Sequence, residues 1–217
     1  MFKIFKNLLG RNSPCRTLQK IECEKFLVSG RCLEIGNTEF NKKSFFNDFH
    51  LKNVKLNFCD LKKVKKKDYF LFNLEKKNFV KKKFENILIF NVLEHVYETN
   101  NAISEIKKLL KSDGKIYIST PFLYRYHHAP RDYYRFTLDF YSRFASKHKL
   151  KIIYMKNLGT GPFFSSYSIM HNILTYVFPL NIIFAAVMLI MDKIIFFFSK
   201  NLKNIYPICN FVVLKKK

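Results

Sequence analysis

Short apolar runs alternate with segments of helical periodicity along most of the chain. Cys32 to Gly36 is apolar apart from Glu34 and ends at a glycine, as a buried strand running into a tight turn does. Residues 53–60 alternate apolar and polar positions and stop at Asp60, which predicts a second strand; residues 68–73 predict a third, ending at Asn73. Residues 84–91 are apolar in their middle, the pattern of a central parallel strand covered on both faces. A helix follows, with Ala102, Ile103, Ile106, Leu109 and Leu110 at helical spacing and a stop at Ser112, Asp113 and Gly114. Residues 115–120 predict a fifth strand halted by Pro121, and residues 150–154 and 210–214 two more. A helix over 17–28 leads into the first strand. This alternation predicts a Rossmann-like, doubly wound, mostly parallel α/β sheet. Such sheets bind ligands beyond the carboxyl ends of their strands, which places Gly36, Asp60, Asn73, Asn91 and Pro121 on one rim.

The pattern changes after residue 160. Ser165 to Met191 contains no Asp, Glu, Lys or Arg, and Ile194 to Phe198 adds further apolar surface. Residues 162–205 therefore read as a hydrophobic helical insert, broken near Pro179 and Asn181, with Asp192 and Lys193 at an interface or paired with each other. One stretch is long enough to cross a membrane. Strands on both sides of the insert belong to one sheet, so the chain leaves and returns on the same side. That leaves a hairpin dipping into one leaflet, or helices covering the active-site mouth or a second subunit. The domain plan is a lead-in over 1–30, amphipathic and basic at its start, and one α/β domain over 31–217.

Composition adds constraints. The 217 residues are 48% hydrophobic and 17% aromatic, enough for a full core. The formal net charge is +23, which fits an acidic lipid surface or simply a Lys-rich composition. The lysines are spread along the chain, with no arginine-rich helix and no aromatic–basic repeat, so nucleic acid is not the expected partner. Five scattered cysteines form no Cys-x-x-Cys pair, which predicts reduced core thiols and no zinc site. No secretory signal is present; the expected location is cytoplasmic, peripheral on the inner face of the membrane if the insert meets lipid. The oligomeric state is open.

Four blocks stand in order from Asn91 to Thr137: Asn91 to Val96, Ala102 to Gly114, Ile118 to Phe122, and His128 to Thr137. Together they resemble class I S-adenosylmethionine-dependent methyltransferases of the branch labelled type 11, over roughly residues 31–137. The resemblance implies a seven-stranded sheet with an antiparallel last strand, and S-adenosylmethionine as cofactor. It places Glu34 near the methionine ammonium, Gly36 where backbone approaches the ligand, Asp60 on the two ribose hydroxyls and Asn73 near the adenine amino group. Asn91 and the stretch from Leu93 to His95 would line the methionine side. The chain departs from the family at Asn37, Thr38 and Glu39, where Gly-x-Gly is usual; Glu39 would oppose the cofactor carboxylate.

Methyl transfer from a sulfonium is an in-line displacement, so alignment supplies most of the catalysis. A base is needed only for an acceptor that carries a proton of high pKa, such as a sugar hydroxyl. His128 and Asp132 are the candidates, with His127, Tyr133 and Arg135 placed to bind substrate. The alternative is that Asp132 and Arg135 form a structural ion pair fixing their loop. The function expected is methyl transfer to a small-molecule, carbohydrate or lipid-linked acceptor, in cell-surface glycan synthesis. A quinone or lipid-ring acceptor, and a catalytically silent membrane-associated scaffold, are the rivals.

Overall fold

The computed structural model describes residues 2–37, 44–62, 64–128, 130–178, 180–199 and 205–216. Two short helices come first, α1 (Phe2–Leu9) and α2 (Pro14–Cys23). The Ser13 hydroxyl accepts from the Arg16 amide and Pro14 occupies the first helical turn, so α2 starts earlier than the apolar spacing suggests. It also ends earlier, because Leu27 already begins the first strand.

The strands are β1 (Leu27–Ile35), β2 (His50–Asp60), β3 (Tyr69–Leu71), β4 (Phe84–Phe90), β5 (Leu110–Ser119), β6 (Leu150–Leu158) and β7 (Cys209–Lys216). They form one sheet in the order β3-β2-β1-β4-β5-β7-β6. The first five run parallel, and β7 is antiparallel to both its neighbours, as expected. Helices α3 (Thr99–Leu109) and α4 (Leu138–Lys147) cover one face. The first two helices cover the other, with α5 (Pro162–Leu174) and α6 (Leu180–Phe198) beside them.

Alternation along β4 shows how one strand serves two cores. Ile87 and Ile89 enter the cluster with Ile103 and Ile106 of α3, whereas Leu88 and Phe90 pack with Tyr117 and Phe211 on the opposite face. Burying each such side chain contributes roughly 1.5–3 kcal/mol. All five cysteines are free and buried, in keeping with core thiols.

Two boundaries and one side chain differ from expectation. The division at residue 30 falls inside β1, where Gly30 (φ +80°) marks a register shift against β2. A side chain there would strike the Glu85 carboxylate, 2.9 Å from the added carbon. The helix predicted to end at Gly114 ends at Leu109, because Leu110 already pairs with Phe84; Asp113 (φ +59°) lies within β5. Asp192 does not meet Lys193 or an interface. It is 1% exposed and accepts hydrogen bonds from the Thr160 hydroxyl and the Phe163 and Phe164 amides at the start of α5.

Candidate active site

A cleft of about 370 Å³ opens at the carboxyl ends of β1, β2 and β4. Gly36, Asp60, Asn73, Asn91, His95 and Tyr133 are among its lining residues. Gly36 has φ +85°, and a side chain there would come within 2.4 Å of Val92 Cγ2. The glycine is thus demanded by the neighbouring loop as well as by any ligand. Asp60 terminates β2 and is half-buried; its Oδ1 accepts from the Leu61 amide at 2.5 Å. Asn73 lies two residues beyond β3. Its side-chain oxygen accepts from the Glu75 amide at 2.9 Å, so the atom expected to face adenine is already used in a local turn.

Glu34 is placed elsewhere. It is 2% exposed, and its carboxylate accepts from the Ser44 hydroxyl, the Asn37 side-chain amide and the Phe45 amide. Burial pushes its pKa up against these bonds. The acid fixes the chain around residues 44–48 and does not line the cleft. Thr38 and Glu39, where the first loop departs from Gly-x-Gly, lie outside the described residues.

Asn91 links the cleft to the N-terminal helices. It adopts φ +54°, and its side-chain oxygen accepts from Gln19 Nε2 at 2.8 Å. Gln19 is fully buried and also donates to the Ser119 hydroxyl. The lead-in helices therefore complete the site from behind. A second pocket of about 160 Å³ shares Asn91 with the cleft and is lined also by Ser13, Cys15, Arg16, Glu94, Pro121, Tyr124 and His127. Arg16 is held there by an ion pair with Asp48 and stacks 3.9 Å over the Phe45 ring.

The expected acceptor residues separate into two groups. His127 reaches the second pocket and Tyr133 the cleft. His128 is exposed, packs edge-on against Tyr126 and lines neither. Asp132 and Arg135 form a two-pronged ion pair, Nη2 to Oδ2 at 2.7 Å, and Arg135 also donates to the carbonyls of Tyr134 and Arg125. The guanidinium holds the Asp132 carboxyl far below the usual carboxylate range. A carboxylate so tightly held is a poor base, and an arginine so used is not free for an anion. The structural ion pair is what the fold builds here.

Glu94 is the residue that pattern reading undervalued. Its backbone oxygen anchors the following loop by accepting from the Tyr133 and Tyr134 amides. Its carboxyl is fully buried, has no hydrogen-bond partner at either oxygen, and is pushed up to about 8 by burial. His95, beside it, shares Nδ1 with the Arg131 carbonyl at 2.5 Å; burial lowers its pKa. Only the Asn91–Val96 block pointed to this pair. Arg16, Glu75 and Tyr124 carried no signal, since their place depends on tertiary folding.

Residues 38–118 match the family described as a methyltransferase domain. The strand order, the antiparallel last strand and the rim position of the cleft agree with that match. Over those residues the chain resembles a methyltransferase domain, and its fold is the one class I methyltransferases share. A search of curated proteins finds no match. Among solved structures, the methyltransferase fold is shared with the cyclase SpnF (TM-score 0.56, 13% identity, 95% of this chain and 83% of that one). It is shared too with an S-adenosylmethionine-dependent methyltransferase from Mesorhizobium loti (TM-score 0.51, 11% identity, 86% and 90%). A third is phosphoethanolamine N-methyltransferase 2 from Haemonchus contortus, crystallised with S-adenosyl-L-methionine (TM-score 0.52, 17% identity, 91% of this chain and 52% of that one). The chain spans about half the length of the Haemonchus protein. A cyclase on the same fold makes plain that the scaffold alone does not fix the reaction.

Proposed function

We infer that the protein transfers a methyl group from S-adenosylmethionine to a lipid-linked carbohydrate acceptor at an anionic membrane surface. The observation that carries the cofactor reading is the cleft at the strand ends, with Asp60 at its lip. A carboxylate there can accept from both hydroxyls of a ribose. The second pocket, joined to the cleft at Asn91, is the acceptor side. Its lining of Arg16, Glu94, Tyr124 and His127 offers several polar contacts to a hydroxylated ring. His127 and Glu94 face that pocket and replace His128 and Asp132 as the groups able to manage the acceptor's proton.

The membrane part rests on the polarity of the α5–α6 hairpin, which is inside out. The residues of α6 that face the protein are Asn181, Ala185, Leu189 and Asp192, two of them polar. Tyr167 bridges Asn181 and His171 in the hairpin interior. The outer side shows Leu180, Ile183, Val187, Ile190, Ile194 and Phe197 to solvent. This helix alone among the described residues is long and apolar enough to cross a membrane, with mean hydropathy 2.2. Exposed apolar patches of this kind mark partner or membrane contacts. The net charge of +23 favours anionic lipid.

Two measurements test the reading. Calorimetric titration with S-adenosylmethionine is expected to give saturable binding that Asp60→Ala weakens by about tenfold or more. Absence of heat from the parent chain refutes the enzyme reading and favours the silent scaffold, to which the engaged Glu34 carboxyl lends support. Sedimentation with anionic vesicles at low salt is expected for the parent chain and not for the Ile183→Glu, Ile190→Glu double variant. Equal sedimentation of both, or of neither, refutes the membrane reading.

A further inference from the structure

We propose that Glu94, His95 and His127 form a binding site for one divalent transition-metal ion, on the wall between the cofactor cleft and the second pocket. The sequence pattern gave no metal-ligand spacing, because the third ligand comes from a separate loop 32 residues on. In the fold, the ligand atoms of these three side chains lie within 4.8 Å of one another, with His95 Nε2 and Glu94 Oε1 3.8 Å apart. Two histidines and a glutamate are a donor set that suits zinc. A tetrahedral ion with bonds near 2.1 Å needs ligand atoms about 3.4 Å apart, so the widest separation in the cluster closes by up to about 1.4 Å on binding.

Two independent features point to a ligand. Glu94 is fully buried, yet neither carboxyl oxygen has a hydrogen-bond partner. A buried polar group without partners is costly, and here the carboxyl faces a pocket. Finally, the second shell is of the kind that orients metal ligands. The Arg131 carbonyl holds a proton on His95 Nδ1, which leaves Nε2 with its lone pair toward Glu94. The Asp132 carboxylate stands 3.3 Å from His127 Nδ1 and steadies that ring. The charge of Arg135, which acts on both Glu94 and His95, is neutralised by Asp132 through the two-pronged pair.

Three protein ligands leave a fourth position open toward the 160 Å³ pocket. There an ion would bind the acceptor oxygen and lower its pKa, so that the hydroxyl proton would pass to solvent water and the oxygen would take the methyl group. With the ion bound, Glu94 and His127 would act as its ligands and not as the base. This role rests on the function proposed above; ion binding does not.

The test uses the untagged full chain, stripped with a chelator and titrated with Zn²⁺ against a chromophoric competitor, and with Co²⁺ followed by visible absorption. One ion per chain is expected. Glu94→Gln and His127→Ala are each expected to weaken it by about tenfold or more, whereas His128→Ala, outside the cluster, leaves it unchanged. Thermal melts confirm that each variant folds, and Glu94→Gln keeps the shape of the side chain it replaces. No saturable binding, or binding indifferent to both ligand variants, overturns the site. S-adenosylmethionine titration of the same metal-free sample reads the cofactor cleft separately, so loss of the metal site and loss of the methyltransferase reading are distinguishable.

Discussion

Asp192→Ala is expected to unpin the α5–α6 hairpin. The Asp192 carboxylate crosses from α6 to cap the first turn of α5, accepting from the Phe163 amide at 2.9 Å, the Phe164 amide at 3.2 Å and the Thr160 hydroxyl at 2.8 Å. Losing a helix cap costs about 1 kcal/mol. Hydrogen bonds to a buried charge are worth more, roughly 1.5–3 kcal/mol each, offset by the cost of burying the carboxylate. The net loss comes to about 3 kcal/mol, which for a chain of this size lowers Tm by roughly 6–12 °C. Asp192→Asn keeps one acceptor oxygen and the side-chain shape, so it is expected to lose about half as much. Thermal denaturation reads the global effect. Hydrogen exchange at the Phe163 and Phe164 amides reads the local one and is expected to accelerate even where the sheet stays protected. A Tm within about 2 °C of the parent, with both amides still protected, would refute the capping role. Gly161 belongs to the same device: an added carbon there would lie 2.5 Å from Asp192 Oδ1, at a backbone φ of +153°.

Two further outcomes follow from the buried charges. Arg135→Ala strands the buried Asp132 carboxylate and is expected to cost about 3 kcal/mol at neutral pH by urea denaturation, with Arg135→Lys recovering only part because it lacks the planar fork. Asp132 is held below the usual carboxylate range, so its contribution is present above that range and fades only in stronger acid. An Arg135→Ala variant as stable as the parent at pH 7 would sink this account. Glu94 has the opposite sign. Its folded value near 8 exceeds the usual 4.5, so the folded state keeps its proton longer and stability falls as pH rises between those values, by up to about 5 kcal/mol. With chelator present, Glu94→Gln is expected to flatten that part of the pH–stability curve, and superimposable curves would contradict it.

The sheet was legible because parallel strands covered on both faces leave continuous apolar runs, as from Ile87 to Phe90. Errors gathered where one local signal has two structural uses. Ser112, Asp113 and Gly114 read as a helix stop, yet β5 has already begun at Leu110 and Asp113 takes its positive φ inside the strand. Gly30 read as the end of a lead-in and is a bulge over Glu85. In the site, residues tied to strand ends were placed from sequence: Gly36, Asp60, Asn73 and Asn91 all line the cleft. Side-chain commitments were not. Glu34 turns to Ser44, and Asp132 is taken by Arg135, because hydrogen-bond partners from other segments decide which polar groups stay free.

The hairpin's place in the fold limits how the protein can meet lipid. Leu158 at the end of β6 pairs with Cys209 at the start of β7, so the chain leaves the sheet and rejoins it at one point. A single crossing of α6 would carry β7 to the far side of the bilayer, away from the β5 and β6 ladders that hold it. Asp192 adds a second constraint, since its bonds to the start of α5 hold the middle of α6 beside the domain. What remains free is the outer apolar row from Leu180 to Phe197, which on the proposed membrane reading would lie along the surface rather than through it. The first helices connect that row to the chemistry. α1 touches α6, α2 touches α5, and the start of α2 supplies Ser13, Cys15 and Arg16 to the second pocket. A lipid-carried acceptor reaching that pocket would therefore travel along α2, and Arg11, whose guanidinium sits 5.7 Å over the Phe178 ring, stands where an anionic headgroup would pass.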